Sequence, residues 1–139
     1  MAIFIRTTTD GIDFRAVAQL LSFWGLSYEN AETQQKIFSR SYAVAFLFEN
    51  DMLIGTGRAL SDGISQAAIY NLALAEAYCG QGLGKRLLDA LLEQVTGCNV
   101  ILYTHPKWIG LYEHWGFSKM KTGYALYTNE DEFREEGFI

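Results

Sequence analysis

The sequence is poor in the residues that restrain a chain from outside its core. Its 139 residues include one proline, Pro106, two cysteines, Cys79 and Cys98, and two histidines. Neither cysteine sits in a CxxC or Cys/His spacing, so no disulfide framework and no metal site is expected, only two free thiols in a reducing compartment. No apolar run approaches the ~18 residues of a membrane span. The start, Met1-Ala2-Ile3-Phe4-Ile5-Arg6, lacks the charged beginning and apolar stretch of a signal peptide. A cytoplasmic protein, neither secreted nor membrane-bound, is therefore expected. Charge is also sparse, at 19% of residues with a net −5. Without a basic stripe, a nucleic-acid partner is disfavoured. Glu130, Asp131, Glu132, Glu135 and Glu136 crowd the end of the chain against Arg134, which reads as a solvated acidic terminus.

What the chain does have is apolar residues. They make up half of it, enough at this length to bury a core in one domain spanning residues 1–139. No repeat, linker or low-complexity stretch interrupts it. Residues 3–7 read as a short strand, and Asp13 to Trp24 as a helix with Phe14, Val17, Ala18, Leu21 and Trp24 at three-and-four spacing. A shorter helix is expected around Ala31 to Phe38. Two β-prone runs, Tyr42 to Phe48 and Met52 to Leu60, flank the turn Glu49-Asn50-Asp51 as an antiparallel hairpin. After the turn Ser61-Asp62-Gly63, Gln66 to Leu74 is apolar on both faces, as a central strand would be.

The clearest helix follows. Leu83, Leu87, Leu88, Leu91, Leu92 and Val95 share one face, and Lys85, Arg86, Asp89 and Glu93 fall away from it. Val100 to Tyr103 reads as a buried strand. Pro106 opens a helix that runs to about Trp115 and ends at Gly116. Phe117 onward and Tyr124 to Thr128 read as two closing strands. The order of elements predicts a mixed α/β sandwich with a partly antiparallel sheet, not a doubly wound Rossmann layout.

Between the central strand and the long helix lies Cys79-Gly80-Gln81-Gly82-Leu83-Gly84-Lys85. Three glycines let the backbone turn tightly and bring N–H groups close to a ligand. Those groups sit at a helix N-terminus, which favours an anion, and Lys85 and Arg86 add charge in the same turn. A phosphate or pyrophosphate cradle is one reading; a plain strand-to-helix turn is the other. The loop is not a Walker A motif, because Cys79 stands where a glycine is needed and Arg86 where Ser or Thr is needed. Nor is it a dinucleotide fingerprint, because Leu87 stands at the last glycine.

A second segment, Ile109-Gly110-Leu111-Tyr112-Glu113-His114-Trp115-Gly116-Phe117, adds to the loop. Together they resemble the GNAT superfamily of acetyl-CoA-dependent N-acetyltransferases. Gly82 and Gly84 match that family's Arg/Gln-x-x-Gly-x-Gly/Ala loop, and Tyr112, Gly116 and Phe117 match its Tyr placed four residues before a Gly-Phe pair. The run Leu53-Ile54-Gly55-Thr56-Gly57 is similar to the family's third strand. The resemblance implies a GNAT fold: a mixed, mostly antiparallel twisted sheet with helices on both faces. Cys79 departs from the family at the loop's first position, which removes a side-chain support but leaves the main-chain donors. His105, where the family often has Asn, either caps the following helix or touches the cofactor.

The resemblance also implies chemistry. Acetyl-CoA would donate its acetyl group to a primary amine by direct attack through a tetrahedral intermediate. That reaction needs an oxyanion donor and an acid for the departing thiolate. Main-chain groups of Leu72, Ala73 and Leu74 would hold the pantetheine and the acetyl carbonyl, with the Leu74 N–H as oxyanion donor. Residues 79–85, namely Cys79, Gly80, Gln81, Gly82, Leu83, Gly84 and Lys85, would hold the pyrophosphate. Tyr112 matches the family's general acid, since a phenol of pKa ~10 stays protonated at neutral pH. Asn71 stands where many relatives have a carboxylate base, which leaves Glu76, Asp62, His105 or solvent to take the proton. The run Gly57 to Gly63 with Ile69-Tyr70-Asn71-Leu72 resembles a branch acting on small amines, and Trp24, Tyr28, Phe46 and Tyr70 would permit an apolar amine pocket. The expected partner is therefore a small-molecule amine of aryl, alkyl or polyamine type, with a homodimer through residues 124–128 also open. The other reading kept open is a non-catalytic acyl-CoA-binding module that regulates a protein.

Overall fold

A computed structural model describes residues 2–139. Its first strand, β1 (Ile3–Arg6), leads into α1 (Phe14–Phe23), which Asp13 caps by accepting the Arg15 N–H at 3.0 Å. A second helix, α2 (Ala31–Ser39), is capped by Asn30, which accepts the Thr33 N–H at 2.9 Å. Three long strands follow: β2 (Ala43–Glu49), β3 (Met52–Ser61) and β4 (Gln66–Leu74). A 3-10 turn at Glu76–Tyr78, helix α3 (Leu83–Gln94) and the short strand β5 (Asn99–Ile101) come next. The strands stand side by side in the order β1-β2-β3-β4-β5. The first three pairings are antiparallel, and β4 and β5 are parallel, which requires the crossover that α3 supplies. The sheet is mixed and mostly antiparallel, as the sequence predicts.

Helices cover both faces of this sheet. On one, Phe14, Val17 and Leu21 of α1 and Phe38 of α2 pack with Val44, Phe46 and Phe48 of β2. The Phe14, Phe38 and Phe46 rings lie 5.6–6.2 Å apart in tilted and edge-on pairs. Phe46 is fully buried in this core, so it lines no amine pocket. On the other face α3 buries Leu83, Leu87, Leu88 and Leu91. That helix lies so close to the sheet that a Cβ on Gly57 would stand 2.9 Å from Leu91 Cδ1 and from Leu72 Cδ1. The glycines of the Gly55-Thr56-Gly57 run are there because the leucines occupy their side-chain space.

The described chain divides into two compact units, one running to Leu102 and one from Tyr103 to the end. The second holds a 3-10 turn at Pro106–Trp108, helix α4 (Ile109–His114) and helix α5 (Glu130–Glu135). Here the structure corrects the reading from sequence. Among the described residues no strand follows β5, so the two closing strands at Phe117 and at Tyr124 to Thr128 are absent. The run from Ser118 to Gly123 has no alternating apolar face, and Tyr124 and Leu126 are fully exposed. An isolated pair of such strands gains too little to form. The acidic end forms a helix instead: Glu130, Asp131 and Glu132 in its first turn suit the dipole, and Arg134 reaches Glu130 at 3.2 Å. Tyr127 stacks on Phe133 at 4.0 Å, and Phe133 meets Phe138 edge-on at 5.1 Å. Those contacts hold the half-buried rings of this unit together.

Candidate functional site

The site in the first unit is built on an unequal strand. β4 pairs with β3 along its length, but with β5 only through Gln66, Ala67 and Ala68. From Ile69 to Leu74 its second edge carries no strand among the described residues. Backbone hydrogen bonds alternate along an antiparallel ladder. Leu74 faces Gly55, and the next residue, Ala75, donates its N–H to the Ile54 carbonyl at 2.7 Å. The main-chain groups of Leu74 therefore point away from β3, onto the open edge, and alternation sends those of Leu72 the same way. Ala73, between them, points its own toward β3 and is buried. Ala73 thus contributes spacing to the expected cradle and no free donor.

Just before this stretch the strand bulges. Gly57 faces both Asn71 and Leu72, and Asn71 adopts a left-handed conformation at φ 56. Its Oδ1 accepts the Arg58 Nε–H at 2.6 Å; Arg58 also donates to Ser41 Oγ at 3.3 Å and lies 5.2 Å from the centre of the Tyr70 ring. A neutral amide held against a guanidinium takes no proton, so Asn71 is no base. Asp62 is no base either. It accepts hydrogen bonds from the Ser65 hydroxyl and from the N–H groups of Ile64, Ser65 and Gln66, led by Ser65, and these hold its carboxyl well below the usual range. It also lies in the turn before β4, and Leu74 ends that strand of nine residues at the opposite end. Glu76 is exposed two residues beyond Leu74 and stays at the right end of the strand.

The chain then passes through Glu76–Tyr78, where the Tyr78 hydroxyl donates to Glu49 Oε1 at 2.7 Å and ties this turn to the end of β2. Cys79 is exposed and extended; burial first, then the Glu76 charge, pushes its thiol up, so it remains protonated. Gly80 and Gly82 have φ of 81 and 78, a conformation side chains resist. Gly82 is the N-cap of α3 and has no side chain to cap it. The helical ladder begins with the Arg86 N–H on the Gly82 carbonyl, so the N–H groups of Leu83, Gly84 and Lys85 come before it. Apart from their own chain neighbours, nothing among the described residues lies within 4 Å of where a Cβ on Gly80 or Gly82 would stand. Gln81 turns back to the Ala77 carbonyl at 3.4 Å. The Lys85 side chain turns along the helix, its Nζ 2.6 Å from Asp89 Oδ1, while its N–H stays at the start of α3.

Sequence reasoning missed one contact on the open edge. The Trp24 indole N–H donates to the Leu74 carbonyl at 2.8 Å, fifty residues away in the chain. Trp24 reads from spacing as one more apolar position of α1, and nothing local signals its partner.

The second unit holds the other two expected residues. His105 Nδ1 accepts the Lys107 N–H at 3.3 Å, capping the turn that Pro106 opens. Tyr112 lies on α4. Gly116, at φ 91, ends that helix: its N–H donates to the Glu113 carbonyl at 3.0 Å and the Phe117 N–H to the Tyr112 carbonyl at 2.9 Å. This is a Schellman cap, and the Tyr112 and Phe117 rings close it edge-on at 5.7 Å. Burial pushes the Tyr112 phenol up, so it keeps its proton at and above neutral pH.

Residues 40–119, which include the open edge, the glycine loop and the Tyr112 helix, match the family described as Acetyltransferase (GNAT) domain. The chain is 27% identical over 120 residues to "GCN5-related N-acetyltransferase 1, chloroplastic" of Arabidopsis thaliana, covering 81% of this chain and 60% of that one. It is 24% identical over 123 residues to "Serotonin N-acetyltransferase 2, chloroplastic" of Oryza sativa subsp. japonica, covering 82% and 60%. The chain thus spans about three fifths of these curated relatives. A solved GNAT family acetyltransferase from Streptococcus pneumoniae TIGR4 shares the fold, with a TM-score of 0.78 at 22% identity over 92% of this chain and 98% of that one. With the unequal strand, the glycine-turned helix start and the family match in agreement, the chain belongs to the GNAT acetyltransferase family.

Proposed function

We propose that this protein transfers an acetyl group from acetyl-CoA to the primary amine of a small molecule. One observation carries the reading: the open edge of β4 leads within ten residues into the uncapped, glycine-turned start of α3. An extended ligand with amide groups at one end and phosphates at the other fits such a surface. Acetyl-CoA, when bound, supplies a thioester whose acyl carbon an amine can attack. The main chain of Leu72 and Leu74 would hold its pantetheine arm, and the N–H groups of Leu83 to Lys85 its pyrophosphate. The Leu74 N–H would donate to the oxygen on which charge develops. Tyr112 Oη keeps a proton that a departing thiolate can accept. With Asn71 occupied by Arg58 and Asp62 held ionised at the far end of β4, the amine would lose its proton to solvent or to Glu76. The relative named as a serotonin N-acetyltransferase supports an arylalkylamine as the first acceptor to try.

Isothermal titration with acetyl-CoA, with ATP and NAD as controls, tests the first step. Micromolar binding of acetyl-CoA alone is expected, followed by release of free CoA thiol with at least one amine of an aryl- and polyamine panel. No binding of acetyl-CoA would reduce the glycine loop to a turn. Binding without turnover of any amine would favour the non-catalytic module.

A further inference from the structure

We infer that Tyr78 is a positioning residue for the phosphate end of acetyl-CoA, acting through its hydrogen bond to Glu49. The inference rests on the acetyl-transfer reading above and concerns how the glycine loop is held. The loop is poorly restrained by its own residues. Gly80 and Gly82, at φ 81 and 78, have no side chains to anchor them. The Gln81 amide donates back to the Ala77 carbonyl at 3.4 Å, and the Cys79 thiol to the Ala75 carbonyl at 3.7 Å. Both contacts stay within the turn.

Downstream, α3 fixes the loop through Leu83, which is buried. Upstream, the loop depends on the 3-10 turn Glu76–Tyr78, and that turn is tied to the sheet at both ends. At its start the Ala75 N–H donates to the Ile54 carbonyl at 2.7 Å, and at its end the Tyr78 hydroxyl donates to Glu49 Oε1 at 2.7 Å. Among the described residues, this is the one side-chain hydrogen bond from residues 76–82 that reaches another element. Glu49 is a firm anchor. It ends β2 and is paired on both sides, with Ile3 of β1 and Met52 of β3, and the Asn50 N–H after it donates to the Ala2 carbonyl at 3.0 Å.

A phenol bound to a carboxylate makes a charge-assisted bond, stronger than one between neutral groups. That bond, ahead of burial and the Glu49 charge, pushes the Tyr78 phenol up, so the donor keeps its proton at neutral pH. Without the tie, the end of the turn could swing about Ala75, and the two glycines would have to be ordered as the ligand binds. With it, the main chain of the loop is arranged before the ligand arrives, and the ordering avoided appears as affinity. The acetyl group reacts at the other end of the ligand, so the loss should fall on binding and not on turnover.

The experiment titrates the full chain with acetyl-CoA beside Tyr78→Phe, Glu49→Ala, Glu49→Gln and the double variant Tyr78→Phe/Glu49→Ala. Tyr78→Phe keeps the ring, removes the donor and should raise Kd about fivefold. Glu49→Ala should raise it as much, whereas Glu49→Gln keeps an oxygen acceptor and should stay within about twofold of the wild type. The double variant should be no weaker than either single one, since each removes the same bond. With the wild type turning over an amine, Tyr78→Phe should raise KM for acetyl-CoA by the same factor and leave kcat within about twofold. A general loss of folded protein would not produce that split. Hydrogen exchange supplies a readout that needs neither ligand nor activity. The Tyr78 and Cys79 amides, which close the 3-10 turn on Ala75 and Glu76, should exchange faster in Tyr78→Phe, while those of Leu87 and Leu88 in α3 keep the wild-type rate. An unchanged Kd in a folded Tyr78→Phe variant would overturn the inference while leaving acetyl transfer standing. So would losses that add in the double variant, or unchanged exchange at Tyr78 and Cys79. A wild type that binds no acetyl-CoA would overturn the acetyl-transfer reading and this role with it.

Discussion

Tyr112 stands where two explanations of one residue meet. Its spacing to Gly116 and Phe117 is the spacing of a Schellman cap, and the same chain repeats it at the end of α5. There Gly137, at φ 90, donates to the Arg134 carbonyl, Phe138 donates to the Phe133 carbonyl, and the two rings meet at 5.1 Å. Phe133 and Tyr112 therefore do the same structural work, and only the phenol distinguishes them. Tyr112→Phe should leave α4, its cap and acetyl-CoA affinity intact, and lower kcat by about 10²-fold or more. Turnover measured beside a CoA titration checks this; equal turnover would leave Tyr112 a capping aromatic. The direction of its pKa adds a pH signature. Burial raises it above ~10, so the acid form persists across neutral and mildly alkaline pH. The contribution of that neutral phenol to stability is likewise complete below ~10 and is lost only as the pH rises through the higher folded value. A kcat profile of the wild type should show no falling limb from this group until the pH passes 10.

The helix ends show which elements the sequence discloses. α1, α4 and α5 all close on a glycine with φ between 70 and 91, followed by Leu26, Phe117 or Phe138. Gly116 was legible because Trp115 ends an apolar pattern there, and α3 was legible from its leucines. The hairpin of β2 and β3 was legible too, since Asn50 supplies the positive φ its turn needs. The open half of β4 was not. Nothing in Ile69 to Leu74 records that β5 would pair for only three residues, because that depends on where the crossover returns the chain. The bulge at Asn71 and the Trp24 contact are hidden for the same reason: each needs a partner distant in sequence. The repeated cap provides its own control. Gly116→Ala and Gly137→Ala force a side chain into similar positive φ, and each should destabilise its helix end by about 1 kcal/mol. Turnover should fall only with Gly116→Ala, because only that cap carries the phenol. Equal losses from both would make the effect one of general stability.

At the scale of the molecule, a net charge of −5 sets a condition on ligand binding. Coenzyme A is itself an anion, and the long-range field of an acidic protein does not draw it in. The attraction has to be local, and the structure offers two local surfaces in series: main-chain donors at the start of α3, and the open edge of β4. Lys85, paired with Asp89, is turned along its helix and adds little to the first. A ligand that uses only the phosphate end should therefore bind feebly, and one that spans both surfaces should bind well. Thermal unfolding separates these cases. Acetyl-CoA at about 100 times its Kd stabilises the folded state by about 2.7 kcal/mol, which for a chain of this size raises Tm by roughly 5–10 °C. ADP at the same concentration presents the pyrophosphate without the pantetheine and should raise Tm by less than about 2 °C. If ADP matches acetyl-CoA, the β4 edge contributes nothing to recognition, and the alternation that turns Leu72 and Leu74 outward would be a feature of the sheet alone. If pantetheine added to ADP recovers part of the difference, the two surfaces act together, and the unequal pairing of β4 is what makes room for the ligand.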